Sequence, residues 1–550
     1  MNLYKPSKLS TIILFVFALS IVSCSKKNNS SKTNDGILKI GNGSEPSSLD
    51  PHVATGVPEH NILLALFEGL ITPDPKTLKP TPGMAQSWTV SKNLSVYTFK
   101  IRDDAKWSNE DPVTAFDFEY SWKRILTPAL ASEYSYMLYP IKNAEAYHKG
   151  KITSFDMVGA KALDAKTFKV ILKGPTPYFL KMLAHYSTWP VHKPTIEKYG
   201  QFDDRANPWT RVGRMVNNGP FVLKEWSINK VLSVIPNPKY WNKNSVKLLG
   251  INFYPIDQGQ TEERLFRSGK LHITSTVPNH KIKTYQDKKP DLIKIDPYLG
   301  NYFYRFNVNK KPFNDVRVRR ALTLSIDRKS IIDNILKGGQ LPALSIVPPN
   351  LSGYQSPKSF TENVMEAKKL LSEAGYPDGK NFPVTEILYN TNDSHKAVAV
   401  AIQQMWKKNL GINITLNNQE WKVYLDTTSR LDYQLSRGGW IGDYPDPNTF
   451  LDMWTSNSGI NNTGWGNKKY DSLIAKAAVS SSASSRLKIL QQAEAILIEE
   501  LPILPIYFYT RIYLKAPTLK GWEPNILDNH PYQNVSLRNI KVKGSETTTN

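Results

Sequence analysis

The sequence predicts a mixed α/β (α+β) protein of several lobes, and three observations carry that expectation. At 550 residues the chain is too long for one compact core. Its hydrophobic pattern switches repeatedly between the period of two expected of strands and the helical period. Strand-like and helix-like segments are mixed along the chain, with no internal repeat.

The segments justify this in order. "ILKIGNG" reads as a short apolar strand ending in glycines, and "SVYTFKIR" and "KTFKVILK" alternate as half-buried strands do. "VTAFDFEYSWKRIL" has helical spacing behind a cap at Thr114. "NDVRVRRALTLSIDRKSIIDNIL" reads as two helical stretches, with Asn314 or Asp315 opening the first. "TENVMEAKKLLSEAG" is a helix with Thr361 as cap and Gly375 as stop. "SSRLKILQQAEAILIEELPILPIYFYTRIYL" is a helix halted by Pro502 and followed by an aromatic strand.

Composition narrows the function classes. There are 70 Lys+Arg against 48 Asp+Glu, a net charge of +22. The basic residues are scattered singly rather than gathered in a stripe or tail, which argues against nucleic acid and leaves an anionic membrane surface as a neighbour. The 13 Trp and 27 Tyr suit an adaptable binding cleft, although Trp88, Trp107 and Trp122 read as core. No H-E-x-x-H, G-x-S-x-G or phosphate-loop pattern occurs, and the nine histidines lack metal-ligand spacing, so no enzyme, metal or cofactor is expected.

The N-terminus predicts export. Lys5 and Lys8 precede the apolar run "LSTIILFVFALSIVS", too short for a spanning helix. The run ends at Cys24, the only cysteine, so no internal disulfide is possible. "LSIVSC" resembles a bacterial lipobox, which implies cleavage after residue 23 and lipidation of Cys24. Residues 24–36 then read as a polar tether, and residues 544–550 as a frayed tail.

A more pointed question lies in "QLSRGGWIGDYPDPNTFLDMW". Arg437 and Asp443 stand six residues apart in a segment crowded with Gly, Trp, Tyr and Pro. From the segment alone they could be half of a catalytic site, a surface ion pair, or the two ends of a ligand clamp.

Several blocks resemble the family 5 extracellular solute-binding proteins of bacterial ABC importers, oligopeptide-binding subgroup. "MAQSWTVSKNLSVYTFKIRDDAKWSNEDPVTAFDFEYSWKR" is the most specific, followed by "NGPFVLKEW", "NPKYWN", "KPFNDVRVRRAL", "EAKKLLSEAGYP" and "QEWKVYLD". The resemblance spans roughly residues 37–540. It implies a two-lobed, type II periplasmic-binding-protein-like clamshell with three sequence-defined domains: domain I from 37–67, 193–299 and 511–543, domain II from 68–192, and domain III from 300–510. Crossings near 299 and 510 would form a hinge. The implied role is the extracytoplasmic capture of short peptides for an ABC permease and its ATPase subunits, by a lipid-anchored monomer. The rivals are the same fold binding a metal chelate, sugar or haem, and an exported hydrolase.

The resemblance also implies site residues. Asp443 would hold the ligand ammonium and Arg437 its carboxylate side. Gly439, Trp440 and Ile441 would present backbone to the peptide, with Val57 on a partner strand opposite. Tyr134, Tyr298, Trp421 and Tyr509 would line the cleft, and His395 would meet the carboxylate end. Departures fall at Gly300 and Ile441, where relatives carry a cysteine pair, and at Thr428, where they carry an arginine for which Arg430 could substitute. Arg305 and Thr55 stand where relatives carry acids, making the local cleft more positive.

Overall fold

The structure is a computed structural model and describes residues 36–538 apart from 350, 352, 358 and 359. The expected export signal, Cys24 and the expected C-terminal tail lie outside the described residues. Among the described residues no helix is long and apolar enough to cross a membrane.

Three sheets organise a two-lobed α/β clamshell. The first runs Ile37–Gly41, Gly250–Tyr254, Val231–Pro236, Phe221–Ser227 in spatial order, with the first two strands parallel. The second is an antiparallel sheet ordered Ala85–Val90, Val96–Ile101, Thr167–Ile171, Ala160–Asp164. Both contribute to one lobe. The other is built on a six-stranded mixed sheet ordered Leu341–Pro342, Ile503–Leu514, Ile293–Phe306, Leu435–Ile441, Thr385–Asn390, Ile414–Gln419. Two long antiparallel strands, Ile293–Phe306 and Ile503–Leu514, extend from this sheet towards the first lobe, and their ladder shifts register between Pro297 and Asn301.

Local chemistry explains the elements. Helix Ala115–Leu126 starts at Thr114, whose N–H and hydroxyl both donate to the Asp117 carboxylate, at 2.7 and 2.8 Å. Asp315 caps helix Val316–Leu324 by accepting from the Arg317 N–H. Helix Ala483–Glu500 ends at Leu501, and strand Ile503–Leu514 begins just after Pro502. One expected cap is corrected: helix Val364–Glu373 is capped by Asn363, not Thr361, because the Asn363 side chain is the one that accepts from the Glu366 N–H. Gly375 follows that helix with φ +96, a stop position that favours glycine. Trp107 and Trp122 are fully buried and Trp88 packs against the same core.

Within the first lobe, burial is underwritten by a closed ion pair. Arg124 donates to both Asp50 oxygens at 2.9 and 2.6 Å, and Trp209 Nε1 donates to Asp50 at 3.1 Å. Burial alone would raise the Asp50 pKa, but the Arg124 charge and hydrogen bonds outweigh it and hold the carboxyl at about 2. The pair ties the loop after the first strand to the helix of the second sheet.

In the six-stranded sheet, Leu435–Ile441 packs tightly through its glycines. A Cβ on Gly438 would sit 2.5 Å from the Phe303 ring and 3.1 Å from Arg305 Nη1. Gly300 and Ile441 are cross-strand partners, so the two positions where relatives carry cysteines are adjacent here.

Arg124→Ala is expected to cost about 3–5 kcal/mol, because it leaves Asp50 buried and unpaired. Calorimetric unfolding checks this. A carboxyl depressed in the fold stabilises above its unfolded pKa, and that contribution is lost as pH falls through the folded value. Wild type should therefore lose stability between about pH 4 and 2 that Asp50→Asn does not lose. Gly438→Ala should destabilise by about 1–3 kcal/mol through the collision with Phe303, read as a lowered melting temperature.

Candidate functional site

A cavity of about 450 Å³ opens between the lobes, and its wall contains every residue expected to bind ligand or alter the cleft charge, though not Gly300 or Arg430. The central strand explains how. Leu435–Ile441 pairs along its full length with Ile293–Phe306 on one edge. On the other edge Thr385–Asn390 reaches only Leu435 and Ser436. From Arg437 to Ile441 that second edge carries no ladder among the described residues and borders the cavity. Gly439 keeps it narrow, since a Cβ there would lie 2.8 Å from the Tyr509 hydroxyl.

Asp443 sits just past this strand, and its carboxylate is sealed by the facing lobe. Tyr134 and Tyr136 donate their hydroxyls to its two oxygens at 3.3 and 3.4 Å. His185 Nε2 lies 3.4 Å away. The Ser187 N–H donates to His185 Nδ1, which leaves the proton of the neutral ring on Nε2, facing the carboxylate. No Lys or Arg pairs with Asp443 among the described residues. Burial first, and then the charge of Asp452, push its pKa well above the ordinary carboxylate range, with the tyrosine hydroxyls opposing.

Arg437 is equally alone. It donates to the Tyr509 hydroxyl at 2.7 Å and to Asn390 Oδ1 at 3.3 Å, and stacks 4.8 Å over the Tyr302 ring, but among the described residues no carboxylate pairs with it. His395 lies 5.6 Å from the Tyr302 ring, and burial, then the Arg437 charge, keep its pKa well below 6.5. Trp421 Nε1 donates across the cavity to Glu59 at 3.4 Å. Tyr134 packs on Trp440 at 6.3 Å, and Tyr298 on Tyr509 at 6.0 Å.

The surface ion-pair alternative for Arg437 and Asp443 is therefore excluded, since the Asp443 side chain is buried, Arg437 is half-buried and neither is the other's partner. Two expectations are corrected. Val57 does not lie on a strand. It opens helix Val57–Leu66, because Pro58 at the first turn favours helix initiation, and Gly56 before it is the extended residue. Arg430 does not substitute at Thr428: it is exposed and pairs with Asp426 at 2.9 Å at the end of helix Trp421–Ser429, while Thr428 lines the cavity.

Sequence reasoning missed Tyr136, His185, Tyr302 and Tyr424. Their placement depends on long-range closure, as with His185 and Asp443, and no local motif marks them.

The model for bacterial extracellular solute-binding proteins, family 5, matches residues 79–462. The oligopeptide-binding protein OppA of Bacillus subtilis is 38% identical over 92% of this chain and 95% of its own. Among solved structures, OppA of Haemophilus influenzae in complex with the peptide RPPGFSPFR superimposes with a TM-score of 0.87 at 35% identity, covering 92% of this chain and 99% of that one. The murein tripeptide binding protein MppA of Escherichia coli gives the same TM-score at 36% identity, over 91% and 98%. With the family model spanning the middle of the chain and full-length relatives sharing its clamshell, this chain belongs to the family 5 bacterial extracellular solute-binding proteins.

Proposed function

We propose that the protein is the peptide-capturing component of an ABC importer. It takes up short peptides in extended form and hands them to a membrane permease driven by ATPase subunits. One observation carries the reading: a buried carboxylate and a half-buried guanidinium, neither with an ion partner among the described residues, stand at the two ends of an unpaired strand edge in the cavity between the lobes. An extended peptide completes all three. Its ammonium meets Asp443, its carboxylate end meets Arg437 with His395 beside it, and its main chain adds to the edge at Gly439–Ile441. At roughly 3.3 Å per residue, that edge is long enough for a short peptide rather than one amino acid. Thr55, Val57, Tyr134, Tyr298, Trp421 and Tyr509 line the space left for side chains.

Closure would be a hinge at the two long strands, where the ladder breaks near Pro297–Asn301. The discontinuous three-domain division suits this arrangement. The binding role involves no catalysis and no cofactor. A lipid at Cys24 would hold the monomer at the outer face of a membrane.

Asp443→Ala should weaken binding of free peptides by about 3–5 kcal/mol with unchanged melting, because the ligand ammonium is then buried without its partner. Titration calorimetry checks this, and an affinity loss under about tenfold would sink the clamp. N-acetylated peptides should bind wild type poorly. Native mass spectrometry of protein purified from peptide-rich culture should find a mixture of short peptide masses; a single non-peptide mass would favour the rival solute. Cys24→Ser should move the protein to the soluble exported fraction with unaltered peptide affinity. Membrane retention of Cys24→Ser that survives a high-salt wash would exclude the lipid anchor, since salt screens simple charge adhesion.

A further inference from the structure

The cavity wall carries three arginines and three acids among the described residues: Arg305, Arg437 and Arg511, with Glu133, Asp443 and Asp528. Two of the acids are already satisfied. Asp528 pairs with Arg511 at 2.5 Å, and Glu133 pairs with Arg205 at 3.3 Å. The cavity histidines His60, His185 and His395 are all held neutral, in each case with burial as the main cause. What remains is one unpaired carboxylate, Asp443, and two unpaired guanidiniums, Arg437 and Arg305. The backbone charges of a peptide, on the reading above, neutralise Asp443 and Arg437. Arg305 is left over.

The one acid whose carboxyl feels the Arg305 charge, Glu133, forms its ion pair with Arg205 instead. Arg305 lies on strand Ile293–Phe306, opposite Ser436 in the neighbouring strand. Its Nη1 reaches the Tyr424 hydroxyl at 3.3 Å and the Arg437 carbonyl at 3.4 Å. Both bonds are long, and Tyr424 donates its own hydroxyl to the same carbonyl. The Arg305 Nε is buried and has no acceptor. Its guanidinium lies 5.4 Å over the Phe303 ring, and no carboxylate forms an ion pair with it among the described residues. Arg486 also has a buried Nε without an acceptor, but its guanidinium is paired with the Asp446 carboxylate, and other buried arginines are completed by backbone carbonyls. Arg319, for example, donates to the carbonyls of Phe313, Glu500 and Leu501. A guanidinium keeps its charge at any physiological pH, so Arg305 cannot relieve the deficit by losing a proton.

We propose that Arg305 is the receptor for an acidic ligand side chain, and that the protein favours peptides carrying Asp or Glu at an inner position. The inference rests on the peptide reading. The fork of donors suits a carboxylate, which would bring the missing acceptor to the buried Nε as well as the missing charge. Tyr424 and Thr428 line the cavity near this end, and neither contributes charge. The selection is a bias rather than a filter, because a ligand carboxylate must itself be desolvated to enter.

The test is a set of tetrapeptides built on an all-alanine parent, with Glu, Gln or Lys at the second or third position, titrated at low and high salt. At one of the two positions Glu is expected to bind about three- to tenfold tighter than Gln, with Lys weaker than both. The Glu advantage, read in each protein as the affinity ratio of the Glu to the Gln peptide, should survive in Arg305→Lys and vanish in Arg305→Gln. Equal affinity for Glu and Gln at both positions in wild type would overturn the inference, with no need for a variant. So would a Glu advantage that persists in Arg305→Gln. An alanine parent that fails to bind wild type would sink the peptide reading, and this inference with it; a parent that binds without a Glu advantage sinks this inference alone.

Discussion

The Asp443 carboxylate is enclosed by uncharged donors, and much of the site's behaviour follows from that one constraint. Taking a carboxylate out of water without a counter-ion is costly, and here the enclosure is built by Tyr134, Tyr136 and His185 from the opposite lobe. Closing the lobes therefore creates the deficit. On the reading proposed above, a ligand ammonium repairs it, so that occupancy and closure reinforce each other without any dedicated switch. The tyrosines suit the task because each offers a hydroxyl to the carboxylate while adding apolar area to the seal. A lysine in their place would complete the charge and remove the reason to bind.

Buried charges elsewhere separate scaffold from site. Asp50–Arg124, Asp446–Arg486 and Asp528–Arg511 are closed pairs at 2.6, 2.7 and 2.5 Å, and they fasten segments distant in sequence. Arg328 reaches Glu362 at 3.1 Å and also donates to backbone carbonyls. These groups have what they need within the chain. Asp443, Arg437 and Arg305 do not, and all three face the same cavity. Buried Glu262 and Glu494 also form no ion pair among the described residues, but each accepts several hydrogen bonds of 2.7 to 3.1 Å from within the chain, whereas the hydroxyls reaching Asp443 lie at 3.3 and 3.4 Å.

The backbone shows the same incompleteness. Strand Leu435–Ile441 is interior to its sheet at one end and an edge at the other, because its parallel neighbour departs after Ser436. Exposed edges invite further strands, and proteins usually blunt them. Here the edge is buried between lobes, which protects it from other protein chains while leaving it open to a small extended ligand. The nearby break in the ladder of the two crossing strands lies where the lobes meet, so the segment that would flex is adjacent to the segment that would bind.

The sequence by itself determined the elements and their class. Thr114, Asp315, Pro502 and Gly375 mark helix ends through local hydrogen bonding and backbone geometry, which need no tertiary context. Alternation in "SVYTFKIR" and "KTFKVILK" fixes a strand because the period of two is a property of the extended chain. The clustering of Arg437 and Asp443 was legible as a question, since both belong to one short segment. Only the tertiary structure decided the answer, because the partners that seal Asp443 are contributed about 260 to 310 residues earlier in the chain. It also placed Val57 on a helix and turned Arg430 to solvent, while Arg305 stayed within the cavity. Side-chain direction and charge completion depend on which distant segments pack together, and no local pattern encodes that.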